Sequence, residues 1–393
     1  MKPQLLVLCN ALDDRTRLER GIITDSPAAS RKVFLLCQAL KLTGVQPLVV
    51  SQGRGRAGGS RDFSPALIKR HSGVPVYYAP FSRMRVLSES ISLLAPLGIM
   101  LRFRSCASET AVIFYNRTPA FLPALLVSSL LGYRNVLDLE DGEVDTMGAE
   151  RRGLFSRSVR FAFDRLCNGG TLLACSALEA KTKAKPVLCY YGTAQGETFA
   201  DRWQHESITV LMGGTLAPDT GADLLADAIR HLRNNPPTWA KHLHIEITGN
   251  GPSLALFEAL VAEPGYPALR VHGRLTDREY KAVLQRTEVG LSLKPVQGSF
   301  ANNTFPSKVI EFAASGLLVF ATDISDVRSV LQDGALYLCE DSVPELIKRL
   351  EWVSTHRTEA MVTAERGKEY VYNRCAPAKA GRAVADFIFR RPA

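Results

Sequence analysis

Two lysines, one carboxylate and a pair of glycines occupy positions in the second half of the chain where they could hold a phosphate. The stretch FANNTFPSKVIEFAASGLLVFATD carries Lys308 and Glu311 three residues apart, at the start of an apolar helical pattern. Lys294 follows a short apolar run typical of a strand, and Gly213 and Gly214 end another such run. A diphosphate requires N–H donors and positive charge, whereas ribose hydroxyls require an acceptor such as a carboxylate. These residues therefore predict a site for a nucleoside diphosphate.

The loop ahead of this helical pattern is polar, and residues typical of helix ends bound the pattern on both sides. Pro306 has the preset backbone angle of a first helical residue, and Gly316 is typical of the residue that follows the last turn. Unpaired N–H groups at a helix N-terminus favour anions. We therefore expect the loop to contact the sugar or the phosphates through Asn302, Asn303 and Thr304.

A cluster of acidic residues follows a predicted strand in the first half of the chain. The stretch LDLEDGEVD, residues 137–145, places Glu140 and Asp141 where this strand ends. In open α/β sheets ligands bind at the carboxyl ends of strands, so these carboxylates could orient a sugar hydroxyl or take a proton. Two other interpretations stay open, an acidic loop that caps the next helix and a site for a divalent metal.

Composition and residue spacing argue against several classes of protein. Hydrophobic residues make up 46% and charged residues 22%, which is typical of a globular protein. No run of 18 uncharged apolar residues is present, so we predict no spanning helix, and the first residues indicate a strand instead of a signal peptide. The eight cysteines lack CxxC spacing and the seven histidines are scattered. We therefore expect reduced cysteines in a cytosolic protein, with no disulfide framework, metal or cofactor.

The basic excess of the chain lies entirely in its first half. The net charge is +9, and residues 1–205 hold 27 Lys and Arg against 17 Asp and Glu. This distribution is typical of a solvated basic face or of attraction to an anionic partner, such as a membrane surface or a phosphate-bearing acceptor. The segment SLLAPLGIML, residues 92–101, with Arg102 and Arg104 after it, fits either a core helix or a helix lying on a membrane. We expect no nucleic-acid partner, because no recognised binding motif is present.

Short apolar runs alternate with helical patterns along almost the whole chain. Such alternation predicts doubly wound parallel sheets with helices on both faces. The polar stretch TAQGETFADRWQHE, residues 193–206, has no periodicity and marks a boundary. We predict an N-terminal domain over 1–200, a C-terminal domain over 201–374, and a final helix over 375–393 that folds back toward the first domain.

The ordered motifs between residues 207 and 350 resemble the retaining glycosyltransferases of family four, a glycogen-synthase-like group with the GT-B fold. The motifs are VLMGGTLAPDTG, HIEITGNGP, LRVHGRL and PSKVIE. The resemblance implies two Rossmann-like domains facing a central cleft, with the acceptor on the first and the nucleotide sugar on the second. Glu311 is then implied to bind the ribose and Gly213 and Gly214 to lie near the diphosphate. Arg274 and Leu275 match the segment that lies against the base.

Three positions depart from the pattern of this family. The family motif Glu-x7-Glu has its first Glu at the position of Asn303, and the Arg and Lys that face the diphosphate are replaced by Thr215 and Thr220. We expect Lys294 and Lys308 to supply the missing positive charge, with Thr215 kept among the donor contacts. Gly249 in ITGNGP is a further candidate contact, at a second strand end that contains glycine.

The resemblance implies transfer of a hexosyl group from a nucleotide-diphosphate sugar, with retention of configuration and without metal. The PSKVIE variant resembles surface-polysaccharide transferases, so a glycan or lipid-linked acceptor and a place on the inner face of the membrane are implied. Glu140, Asp141, Lys294 and Lys308 are the expected catalytic residues. Three alternatives stay open: a GT-B partner subunit without activity, a nucleotide-sugar epimerase, and a non-enzymatic peripheral membrane protein.

Overall fold

The chain forms two compact units in the computed structural model, which describes residues 4–57, 63–141, 153–197, 199, 202–297, 301 and 303–389. Unit 1 comprises Met1–Thr193 and Pro377–Ala393, and unit 2 comprises Ala194–Ala376. The chain therefore leaves unit 1 after Thr193 and returns to it after Ala376. Among the described residues, no helix is both long enough and apolar enough to cross a bilayer.

Unit 1 is built on an eight-stranded sheet. Its strands and those of two small ribbons are β1 (Leu5–Cys9), β2 (Ile22–Thr24), β3 (Pro47–Ser51), β4 (Arg56–Ala57), β5 (Phe63–Ser64), β6 (Leu67–His71), β7 (Val74–Tyr78), β8 (Phe81–Ser82), β9 (Ala111–Tyr115), β10 (Arg134–Leu139), β11 (Thr171–Leu173) and β12 (Val187–Cys189). The large sheet has the order β12-β11-β10-β9-β1-β3-β7-β6 and is parallel except for the edge strand β6. Strand β1 is buried throughout, as expected for a central parallel strand with both faces covered.

Helices cover both faces of this sheet. They are α1 (Asp14–Glu19), α2 (Pro27–Lys41), α3 (Arg85–Arg102), α4 (Leu122–Leu130) and α5 (Leu154–Leu166). One face packs its Leu5, Val7 and Cys9 against α2. The other face presents Phe114, whose ring lies edge-on to Phe163 of α5 with centroids 5.9 Å apart.

Unit 2 is built on a six-stranded, wholly parallel sheet. Its strands are β13 (Ile208–Thr215), β14 (Leu243–Asn250), β15 (Ala268–Val271), β16 (Val289–Ser292), β17 (Leu318–Thr322) and β18 (Ala335–Leu338). Their order is β15-β14-β13-β16-β17-β18. Counted along unit 2 this is 3-2-1-4-5-6, the order of dinucleotide-binding sheets, in which the direction of winding reverses between the first and fourth strands.

Within the part of the chain that the structure describes, seven α-helices of unit 2 pack around this sheet, and one more returns to unit 1. They are α6 (Ala222–Asn234), α7 (Leu254–Val261), α8 (Asp277–Gln285), α9 (Lys308–Ala314), α10 (Val327–Leu331), α11 (Val343–Thr355), α12 (Arg357–Cys375) and α13 (Pro377–Phe389). Short 3₁₀ helices occur at Arg104–Glu109, Pro119–Phe121, Ser176–Lys181, Pro218–Thr220 and Thr238–His242. Helix α13 packs on α2, and its Ala380, Val384 and Ile388 join the apolar core of unit 1.

The expectation of two doubly wound parallel sheets is confirmed, and one local prediction is corrected. Helix α9 begins at Lys308 and not at Pro306, whose carbonyl instead accepts a hydrogen bond from the amide of Val309 in the preceding turn. Gly316 does end α9, with a left-handed φ of 77°.

Candidate functional site

The carboxyl ends of β13 and β16 lie side by side at the point where the sheet of unit 2 reverses its winding. Met212 pairs with Leu291, so Thr215 and Lys294 each lie three residues beyond this pair. Ligands of open α/β sheets bind at such a reversal point, because the loops there diverge to opposite faces and leave a crevice. The predicted glycines and Lys294 therefore occupy the edge of the sheet where a nucleotide is expected.

Gly213 and Gly214 occupy positions where a residue with a side chain would be strained or would contact its neighbours too closely. Gly214 has φ 115°, in the left-handed region, and it is exposed. A Cβ at Gly213 would lie 2.7 Å from Oγ1 of Thr248. Gly249 has φ 116° in the neighbouring strand, and its Cβ would lie 1.8 Å from the carbonyl oxygen of Gly214. Glycine is thus required sterically, and the strand end offers bare backbone to a ligand.

Lys308 and Glu311 form an ion pair next to these glycines. Nζ of Lys308 donates to Oε2 of Glu311 at 2.7 Å and to the hydroxyl of Tyr280 at 2.9 Å. A Cβ at Gly214 would lie 3.7 Å from Cε of Lys308, so the lysine side chain passes directly beside the glycine backbone. Burial alone would lower the pKa of Lys308, but the Glu311 carboxylate and Tyr280 outweigh burial and raise this pKa. The lysine is therefore charged, and Glu311 holds it in place.

Tyr280, which the sequence analysis did not single out, is the third member of this group. It lies on α8, whose first turn is closed by reciprocal bonds between Thr276 and Glu279. Nζ of Lys308 lies over the ring of Tyr280, 4.6 Å from the ring centroid. A Cβ at Gly213 would lie 3.7 Å from the same ring. The capped helix thus positions an aromatic hydroxyl between the glycines and the lysine.

The loop from β13 to α6 packs against the start of the segment that carries Lys294. Gly221 has φ 75°, and its Cβ would lie 2.0 Å from the carbonyl oxygen of Leu293. Thr220, the residue in place of the family's lysine, donates its hydroxyl to the carbonyl of Thr215 at 2.8 Å and accepts from the amide of Ala217 at 3.1 Å. This threonine therefore closes the loop on itself instead of presenting a charge.

Arg274 and Leu275, which are predicted to lie against the base, follow a residue that is hydrogen-bonded to one of the glycines. The amide of Gly249 donates to the carbonyl of Gly273 at 2.7 Å, which brings the segment next to β14. Arg274 is exposed and Leu275 is half-buried immediately before α8. The ring of His272 instead contacts Glu246, whose carboxylate also accepts from Arg286 at 3.0 Å.

In unit 1 the predicted acidic site contains a lysine, Lys32, whose side chain is 11% exposed. Nζ of Lys32 on α2 donates to Oδ1 of Asp138 at 3.1 Å and contacts the carboxylate of Glu140. The lysine also lies 5.1 Å from the ring centroid of Tyr190. Burial lowers the pKa of Lys32, while Asp138 opposes this shift. Asn116, with φ 58°, accepts the amide proton of Glu140 at 2.9 Å. Glu140 is thus held by its backbone and its side chain.

The structure brings most of the predicted donor residues of unit 2 to one edge of its sheet. Asn303 and Thr304 are half-buried in the segment that leads into α9, and Asn302 lies outside the described residues. Asp141 is half-buried next to Glu140 in unit 1. Sequence reasoning missed Tyr280, Thr248, Lys32 and Asp138, because each reaches its partners only through the fold.

Part of the chain matches a known protein family. Residues 207–356, which lie within unit 2, match the family model described as Glycosyl transferases group 1. A comparison with curated protein sequences found no match.

Solved structures of the same fold cover nearly the entire chain. Sucrose-phosphate synthase from Thermosynechococcus elongatus has a TM-score of 0.69 at 12% identity, covering 98% of each chain. HepE from Anabaena, solved with UDP, has a TM-score of 0.65 at 14% identity, covering 98% of this chain and 99% of that one. Trehalose-6-phosphate synthase OtsA has a TM-score of 0.67 at 11% identity, covering 99% and 100%. At these identities the likeness concerns the fold, which is the GT-B fold of glycosyltransferases.

Proposed function

We propose that this protein is a glycosyltransferase that moves a hexosyl group from a nucleotide-diphosphate sugar to a glycan or a lipid-linked acceptor. The observation that carries the proposal is the ion pair of Lys308 and Glu311 beside the bare backbone of Gly214, at the reversal point of the unit 2 sheet. The match of residues 207–356 to Glycosyl transferases group 1 supports the same class of reaction.

In the proposed reaction, the bond between the anomeric carbon and the diphosphate oxygen breaks. The anomeric carbon then bonds to an acceptor oxygen, whose proton passes to an oxygen of the leaving diphosphate. Negative charge grows on the leaving diphosphate, where the ammonium groups of Lys308 and Lys294 and the backbone of Gly213 and Gly214 stabilise it. The carboxylate of Glu311 accepts hydrogen bonds from the ribose hydroxyls, as an acidic side chain does in other nucleotide-binding α/β sheets. With two lysines in these roles, we propose that the transfer is independent of metal.

In this proposal, unit 1 binds the acceptor. Lys32 holds the carboxylate of Glu140 at the carboxyl end of β10, next to Asp141. A carboxylate fixed in this way can accept a hydrogen bond from a sugar hydroxyl or receive its proton. We further propose retention of configuration, a role in surface-polysaccharide synthesis and a cytoplasmic location. These finer points rest on the sequence resemblance.

Calorimetric titration tests the donor site. HepE has been solved with UDP and with UDP-glucose, so UDP is the first ligand to titrate, followed by GDP and dTDP, all with EDTA present. We expect one nucleotide to bind the wild type. Lys308→Ala with Glu311→Ala should weaken that binding by about tenfold to a hundredfold, because a lost contact between a charge and a phosphate costs about 1.5–3 kcal/mol.

The matched control removes another intrahelical ion pair of unit 2, Arg349→Ala with Glu345→Ala on α11, where the two side chains are 2.6 Å apart. Its nucleotide affinity should equal that of the wild type. Failure of every diphosphate to bind at millimolar concentration would refute the active transferase and favour a GT-B partner subunit. Analysis of the product by NMR then separates a transferase from an epimerase and shows the anomeric configuration.

A further inference from the structure

Helix α3 presents several of its large apolar side chains to solvent. Its buried residues are Ser92, Pro96 and Met100, and the hydroxyl of Ser92 bonds back to the carbonyl of Ser88 at 2.8 Å. Large apolar residues on and just before the helix are exposed: Met84, Val86, Leu87, Leu93, Leu94 and Leu101. At 100° per residue, those within the helix fall on one continuous stripe. An ordinary surface helix has the reverse arrangement.

The next two helices in the packing order also expose large apolar side chains. Helix α3 packs against α4, and α4 packs against α5. Helix α4 exposes Leu126 and Leu130, which are one turn apart, and α5 exposes Leu154, Phe155 and Phe161. We call the outward faces of α3, α4 and α5 the outer helix surface. Together they expose more large apolar side chains than a soluble surface ordinarily groups in one place.

The charges around the outer helix surface are almost entirely positive. Its helices and the residues adjoining α3 contain seven arginines: Arg83, Arg85, Arg102, Arg104, Arg157, Arg160 and Arg165. The same segments, 83–104, 122–130 and 154–166, contain two carboxylates. Each carboxylate is paired with an arginine from elsewhere, Glu89 with Arg54 at 2.9 Å and Asp164 with Arg117 at 2.7 Å. The surface therefore combines apolar side chains with a net positive charge.

We propose that the outer helix surface docks on a bilayer that contains anionic phospholipid. Exposed leucine and phenylalanine side chains enter the boundary between headgroups and acyl chains, while flanking arginines bind headgroup phosphates. Charge complementarity favours a lipid surface over a second copy of this chain, because two copies would bring the same arginines together. The proposal does not depend on the donor site, so its test is separate from nucleotide binding.

Sedimentation with vesicles tests this docking on the full chain. The vesicles are phosphatidylcholine alone, and phosphatidylcholine with about 40% phosphatidylglycerol. The apolar variant is Leu94→Glu with Leu130→Glu and Phe161→Glu, at side chains that are 64–86% exposed. Its control places three glutamates elsewhere on unit 1, through Leu18→Glu, Leu42→Glu and Ile68→Glu, at positions 67–75% exposed. Circular dichroism establishes that both variants are folded.

We expect the wild type and the control to bind the anionic vesicles at least tenfold more tightly than the apolar variant does. The wild type should bind more weakly to vesicles of phosphatidylcholine alone, and more weakly to the anionic vesicles at 500 mM salt. A second variant, Arg102→Gln with Arg104→Gln, Arg157→Gln and Arg165→Gln, should lose the preference for phosphatidylglycerol. Absence of vesicle binding by the wild type would overturn the proposal, as would equal loss in the apolar variant and its control. A wild-type dimer that becomes monomeric in the apolar variant, without vesicle binding, would show an interface between copies instead.

Discussion

Glu288 is a carboxyl group held inside unit 2, away from the candidate donor site. It is 1% exposed, and its Oε2 accepts a hydrogen bond from the amide of Thr209 at 2.6 Å. Burial raises the pKa of Glu288 to about 7, although this amide and the nearby Arg202 favour the charged form. Both terminal nitrogens of Arg202 donate to backbone carbonyls, among them those of Leu284 at 2.7 Å and Ser315 at 2.9 Å.

This residue should make the stability of unit 2 depend on pH. Between about pH 4.5 and 7 the unfolded chain has lost the Glu288 proton while the folded chain keeps it, so the free energy of unfolding falls as pH rises. The loss is on the order of 3 kcal/mol and is complete above the folded pKa. Glu288→Gln should remove this dependence. Urea unfolding followed by tryptophan fluorescence from pH 5 to 8 measures the difference.

The probe reports on unit 2 because all three tryptophans, Trp203, Trp239 and Trp352, lie in that unit. Titration of other groups cancels when the variant is compared with the wild type at each pH. Parallel curves for the two proteins would contradict the assignment of a raised pKa to Glu288.

At the scale of elements, α12 is a helix that the sequence pattern did not reveal. Its buried residues form a stripe of mostly small side chains: Ala360, Ala364, Gly367, Val371 and Cys375. They recur at helical spacing, but charged residues surround them and the stripe adds little apolar periodicity. The helix packs on α9, α10 and β17, so small residues allow a close approach that larger ones would prevent.

Gly367 should be the most sensitive position of this helix. A Cβ there would lie 2.3 Å from the carbonyl oxygen of Gly334, which is backbone and cannot rotate away. Gly→Ala in an open helix position stabilises by about 1 kcal/mol, whereas overpacking costs about 1–3 kcal/mol. We expect Gly367→Ala to lower the urea midpoint of the tryptophan transition. Glu369→Ala, at an exposed position of the same helix, should leave it nearly unchanged, and a gain of stability in Gly367→Ala would disprove the contact.

At the scale of the whole molecule, the chain completes unit 1 with its last helix. Helix α13 follows α12 directly and lies against α2, where a Cβ at Gly381 would be 2.2 Å from the carbonyl oxygen of Ala39. The apolar core of unit 1 is therefore assembled from both ends of the sequence. A change in α13 should therefore weaken unit 1.

Gly381→Val tests this closure. The valine would force α13 away from α2, at a cost of about 1–3 kcal/mol, so amide hydrogen exchange across α2 should accelerate. The tryptophan transition of unit 2 should keep its midpoint. Ala383→Val, at an exposed position of α13, is the matched control and should change neither readout. Unchanged exchange in α2 would show that α13 does not stabilise unit 1.

The residues proposed for the candidate donor site could be selected from the sequence because they lie in contiguous motifs. Lys308 and Glu311 are one helical turn apart, and Gly213 and Gly214 end a strand that is visible as an apolar run. The partners of these residues were not predictable in the same way. Tyr280 is 28 residues from Lys308, and Lys32 is 108 residues from Glu140. These separations along the sequence are too long for a local pattern to indicate the contacts.

The sequence by itself determined the class of fold, because alternating strand and helix periods leave only parallel sheets covered on both faces. It also determined which residues could bind a diphosphate, since their chemistry and spacing are local. Tertiary structure alone decided which charges are already paired, that Thr220 closes a loop, and that the apolar stripe of α3 faces outward. The physical reason is that burial and pairing depend on what packs against a residue, and those neighbours come from distant parts of the chain.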